Sequence, residues 1–113
     1  MTKIQVVMLG TGTPNAEAER VSSGVAVVVD NQPYLIDCGH GVVQRVVQAH
    51  QSEKITWNTT HLTRLFVTHL HADHIVGLPD LMLTPWIHNR TEKIQACGPA
   101  ELQSMVDHLL LAF

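Results

Sequence analysis

The chain has 113 residues, a mass of 12.5 kDa and a formal net charge of −3, so it holds one domain at most. Apolar residues make up 45% and charged residues 15%, the profile of a soluble globular segment and not of a disordered or fibrous one. Ten acids against seven bases exclude a strongly basic protein, so affinity for phosphate cannot rest on bulk charge.

Lys3 to Leu9 is a β-rich apolar run and predicts a strand. Gly10-Thr11-Gly12-Thr13-Pro14 ends it as a turn. A phosphate-loop reading of that turn is rejected, because no third glycine and no Gly-Lys-Ser/Thr follows. Asn15 to Arg20 is polar and predicted exposed. Gly24 to Val29 is a β-branched strand, Asp30-Asn31-Gln32-Pro33 a turn, and Tyr34-Leu35-Ile36 opens the next strand, so this stretch predicts a hairpin. Val42, Val43, Val46, Val47 and His50 recur at helical spacing and predict one buried stripe. Valine is a poor helix former, and the period is followed against the propensity.

Leu65-Phe66-Val67-Thr68 predicts a short buried strand. Pro79 suits the first turn of a helix through Leu81 and Leu83, which Pro85 kinks or ends. Lys93 to Cys97 predicts another strand. Pro99 or Ala100 starts a last helix with Leu102, Met105, Val106, Leu109 and Leu110 on one face. That helix runs into Leu109-Leu110-Leu111-Ala112-Phe113 without a cap or polar tail, and the expectation is a domain truncated at its C-terminus, covering 1–113. No apolar run exceeds five residues, too few for a membrane-spanning helix. The N-terminus lacks the features of a signal peptide. Cys38 and Cys97 form no C-x-x-C pair and are expected to be reduced, buried and apolar in a cytoplasmic protein.

Three of the eight histidines fall in the run His69-Leu70-His71-Ala72-Asp73-His74. In an extended segment, residues two apart point the same way, roughly 6–7 Å apart at Cα, so His69 and His71 can converge on one cation. Asp73 and His74 can reach a second after a bend. Imidazole and carboxylate donors suit zinc, with manganese or iron as competitors. Two such cations sharing a hydroxide lower the pKa of water from about 15.7 to about 7 and so supply a nucleophile for an ester, amide or phosphodiester. His40, His50, His61, His88 and His108 stand alone and are expected at the surface or the core edge. Trp57 and Trp86 are expected to pack, since no basic residues interleave with them. Arg20, Ser22 and Ser23, near a strand start, are candidates for the edge of the pocket.

Thr68 to Pro79, with Gly77-Leu78-Pro79 as its tail, resembles the H-x-H-x-D-H motif of the metallo-β-lactamase superfamily. Leu9-Gly10-Thr11-Gly12-Thr13-Pro14 and Leu35-Ile36-Asp37-Cys38-Gly39 resemble its earlier landmarks in the same order, and together they point to the ribonuclease Z-like branch. The resemblance implies an α/β fold, the metallo-β-lactamase-like αβ/βα sandwich, of which this chain would be the first half. It implies two Zn2+ per complete domain, with His69 and His71 on one metal and Asp73 and His74 on the other. It also implies Asp73 as proton acceptor and Asp37 as an aspartate steadying the loop behind the metals, although Asp37 also reads as a turn or cap residue.

The implied activity is phosphodiester cleavage at the 3′ end of precursor tRNA, with RNA as partner, no membrane, and a homodimer of the complete protein left open. His40 stands where ribonuclease Z often has glutamate, and Ala72 and Asp80 where it often has glycine. These departures favour a general member of the branch, so hydrolysis of small sulfate, phosphate or carboxylate esters is the alternative. After His74 only Asp80, His88, Asp107 and His108 remain as donors, none in a later metal motif. A metal-binding half-domain without activity is therefore a third expectation.

Overall fold

A computed structural model describes residues 1–113. Strand β1 (Ile4–Gly10) pairs antiparallel with β2 (Gly24–Val29), which pairs antiparallel with β3 (Gln32–Ile36). The β2–β3 turn is Asp30-Asn31, both at positive φ (47° and 69°), as the two-residue turn that matches strand twist requires. Gln32 and Pro33, expected in the turn, are instead the start of β3. Pro33 is tolerated because the next strand pairs only from Leu35 onward, so its missing N–H breaks no ladder bond.

Beyond β3 the chain switches to parallel pairing. Helix α1 (Val42–Gln51) leads through a turn of 3₁₀ helix at Thr59–His61 to β4 (Arg64–Phe66). Helices α2 (Ala72–Ile75) and α3 (Leu78–Ile87) lead to β5 (Gln95–Cys97), and α4 (Glu101–Ala112) closes the chain. The sheet order is β1-β2-β3-β4-β5. No helix is long and apolar enough to cross a membrane.

Alternation along the strands sends Ala26, Val28, Leu35 and Leu65 to one face, where they meet Val42, Val43 and Val46 of α1 and Leu78 and Leu81 of α3. Trp57 fills this core, as expected. The opposite face carries Ile4, Val6, Met8 and Phe66, all exposed. One sheet with its helices makes one αβ layer pair of the expected sandwich.

Several sequence expectations are corrected. His50 is exposed and lies outside the α1 stripe, because three valines already complete the contact. Trp86 is 66% exposed rather than packed, Leu110 of α4 is exposed, and Cys97 is exposed on edge strand β5. Cys38 is buried, and burial pushes its thiol up to about 12. Pro85 does not end α3, which continues to Ile87. Proline removes the N–H that would bond the Leu81 carbonyl. The Arg90 guanidinium supplies the missing donor, bonding Leu81 O at 2.9 Å and Met82 O at 3.0 Å. Burial holds the Arg90 pKa below its ordinary value.

Candidate metal centre

The site is built where β3 and β4 end side by side. The Asp37 N–H bonds Phe66 O at 2.8 Å, one residue beyond the last strand pair. Asp37 then turns into the left-handed region (φ 61°), a conformation that costs energy in a non-glycine residue and is kept only where its surroundings demand it. That turn aims its buried carboxylate at the histidine loop.

The carboxylate is bonded from three sides. The Thr68 N–H donates to Oδ1 and the Thr68 hydroxyl to Oδ2, each at 2.7 Å. His74 Nδ1 lies 2.7 Å from Oδ2. Burial works against the Asp37 charge, but these donors outweigh it and hold the carboxyl below the usual carboxylate range. An ionised carboxylate only accepts, so His74 carries a proton on Nδ1, and Nε2 is the ring's remaining ligand atom. The same logic passes through Thr68. Its one hydroxyl proton goes to Asp37, so the 2.9 Å contact with His69 Nδ1 must be donated by the ring. Nε2 is then also the remaining ligand atom of His69. One aspartate thus sets the tautomer of two imidazoles, one of them through a hydroxyl.

Ligand-type atoms of Asp37, His69 and His74 lie within 4.8 Å of one another. The His69 ring is 4.1 Å from that of His74 and 4.7 Å, edge-on, from that of His71. Asp73 Oδ2 lies 3.4 Å from His74 Nε2. His71 and Asp73 therefore border the cluster without joining its tightest group. The donor set of imidazoles with carboxylates fits a divalent cation of the zinc type. Thr68, given no role by the sequence reading, is the piece that reading missed. Its signal was a hydroxyl at the strand end directly before the motif.

Backbone contacts lock the loop to the sheet. Cys38 N–H bonds His74 O at 2.8 Å, Gly77 N–H bonds Cys38 O at 2.9 Å, and Ser23 N–H bonds Asp73 O at 3.1 Å. Gly39 and Gly77 permit this approach, since a Cβ on either would overlap backbone of the other segment. Arg20, Ser22 and His40 line a cavity beside Asp73. His50 and His88 line a separate one with Thr59. Asp80 bonds Thr84 on α3, Asp107 bonds Gln103 and His108 bonds Ser104 O.

The fold and this loop are similar to those of metallo-β-lactamase-fold proteins, ribonuclease Z among them. The chain is 34% identical to a ribonuclease Z of Mycolicibacterium gilvum over 113 residues, 97% of this chain and 37% of that protein. It superposes on human tRNase Z, short form, with a TM-score of 0.80 at 28% identity, covering 99% of this chain and 40% of the other. A diphosphatase of the PhnP family shares the fold (TM-score 0.70, 21% identity, 99% and 48% covered). The chain belongs to the family described as anti-Pycsar protein Apyc1, whose model matches residues 4–112. It spans little more than a third of the ribonuclease Z relative's length.

Proposed function

We propose that this chain supplies the cation-binding loop of a metal-dependent hydrolase acting on phosphodiesters, with RNA of the precursor-tRNA kind as substrate. The observation that carries the reading is that Asp37 and Thr68 engage Nδ1 of His74 and His69, which leaves Nε2 of each ring as the ligand atom. His69, His71, Asp73 and His74 would hold the metal, with Zn2+ the first candidate and manganese or iron its competitors. A bound cation of this kind supplies Lewis acidity and an activated water at neutral pH. The chain's own part is orientation. Asp37 keeps two imidazoles aimed, one of them through Thr68, and Asp73 stands at the cavity edge as the candidate proton acceptor.

Metal content by mass spectrometry on the purified chain, beside His69→Ala/His71→Ala, tests the binding step. Metal held by the wild type and lost in the double mutant is expected, and equal content would overturn it. Substrate is tested on the longest natural form of the protein with precursor tRNA, beside Asp73→Ala, and equal activity of the two would sink the RNA reading. A second reading, hydrolysis of small esters, is supported by His40, Ala72 and Asp80. Turnover of chromogenic esters without RNA cleavage would select it.

A further inference from the structure

The chain has seven lysines and arginines, and the other internal arginines are engaged by their own structure. Arg45 bonds Glu19 O and Gln48, Arg64 bonds Thr63, and Arg90 bonds Leu81 and Met82. Arg20 differs. Its guanidinium has no hydrogen bond or ion pair within the chain, and it lines a cavity of about 230 Å³ that also takes in Asp73.

Its position is imposed. The residues after it are bonded to three segments: Gly12 N–H to Val21 O at 2.7 Å, Ser22 N–H to His40 O at 3.1 Å, and Ser23 N–H to Asp73 O at 3.1 Å. The loop after β1, the Gly39 turn and the histidine loop therefore all hold the strip that carries Arg20. Ser22 and His40 line the same cavity and add a hydroxyl and an imidazole. Glu17, on the rim, takes the Thr13 hydroxyl at 3.1 Å.

We propose that this cavity is a phosphodiester subsite of the hydrolytic centre, with Arg20 as the residue that grips the phosphoryl oxygens; the proposal rests on the function proposed above. A guanidinium presents a planar fork matched to two oxygens of such a group. The charge of the walls narrows the class. One free guanidinium between two carboxylates, Glu17 and Asp73, leaves one negative charge in excess on the walls, so a singly charged diester is opposed less than a doubly charged monoester. A doubly charged monoester leaves negative charge facing both acids, and like charges in a shared site repel. The volume lies below the roughly 300 Å³ at which pockets for drug-sized ligands begin, so it takes a nucleotide-sized fragment rather than folded RNA. Arg20 is a positioning and specificity residue here.

The test uses the chain in EDTA, so it reads the subsite without metal or turnover. Thymidylyl-thymidine, which has one phosphodiester, and thymidine 5′-monophosphate are titrated against labelled chain by NMR at fixed ionic strength. The diester is expected to bind more tightly than the monoester and to shift the amides of Arg20, Ser22 and His40. Arg20→Gln is expected to weaken the diester at least tenfold, and Arg20→Lys less, since it keeps the charge and loses the fork. Arg20 is exposed, so an unchanged spectrum of the free variant certifies its fold. No binding, equal affinity in Arg20→Gln, tighter monoester binding or shifts mapped elsewhere would each overturn the proposal. The metal measurement is separate: a chain that holds metal but not the diester loses the subsite alone, and one that binds the diester but no metal loses the hydrolytic centre and keeps only a diester-binding cavity.

Discussion

Asp37 is one carboxylate with three donors, and its removal should be felt through both histidines. Asp37→Asn can still accept from Thr68, but it no longer enforces the proton on His74 Nδ1. Loss of such a partner typically lowers metal affinity about 10–100-fold, and competition with a zinc-chelating dye is the measurement. Unchanged affinity would mean that the imidazole tautomers are set elsewhere. Cys38 offers a second residue-scale check. With its thiol pushed to about 12 by burial, about one in 10,000 is ionised at pH 8. Iodoacetamide at that pH should modify exposed Cys97 and spare Cys38 until the chain unfolds. The linked stability follows the sign of the shift. The buried neutral thiol stabilises the fold below the ordinary thiol value of 9.0 and loses that contribution as pH rises toward 12.

Within the elements, α3 shows a sequence defect repaired at a distance. Pro85 orphans the Leu81 carbonyl, and Arg90, past the helix end, covers it. An unsatisfied buried carbonyl costs about 1–3 kcal/mol, so Arg90→Met should lower unfolding free energy by about that amount in urea titrations. Pro85→Ala in the Arg90→Met background should recover part of it by restoring the helical N–H. No recovery would show that Arg90 acts through packing alone. The helices themselves were legible: valines at helical spacing placed α1, and Pro79 placed the start of α3. The end of α3 was not, because a proline normally breaks the ladder and the compensating donor lies five residues on in sequence.

The whole molecule carries two unlike sheet faces. One is sealed by α1 and α3, and the other exposes Ile4, Val6, Met8 and Phe66. A contiguous apolar face of this kind binds hydrophobic dyes and promotes association. The chain should therefore enhance ANS fluorescence at neutral pH. Val6→Lys/Met8→Lys should reduce that signal, with stability changed by less than about 0.5 kcal/mol, since neither side chain is in the core. An unchanged dye signal would place the binding elsewhere.

The sequence by itself determined what is local. The six-residue histidine run, the strand alternation, the hairpin and the α1 stripe all follow from the spacing of neighbours, because side-chain direction repeats every two residues in a strand and every 3.6 in a helix. Tertiary structure decided what depends on contact across the chain. Thr68 meets Asp37 across 31 positions and His74 meets it across 37. Gly39 and Gly77 let two backbones touch, and Arg20 comes to stand beside Asp73. No local period encodes such meetings. They arise because β3 and β4 lie parallel and end together, bringing the loops that follow them to one edge of the sheet.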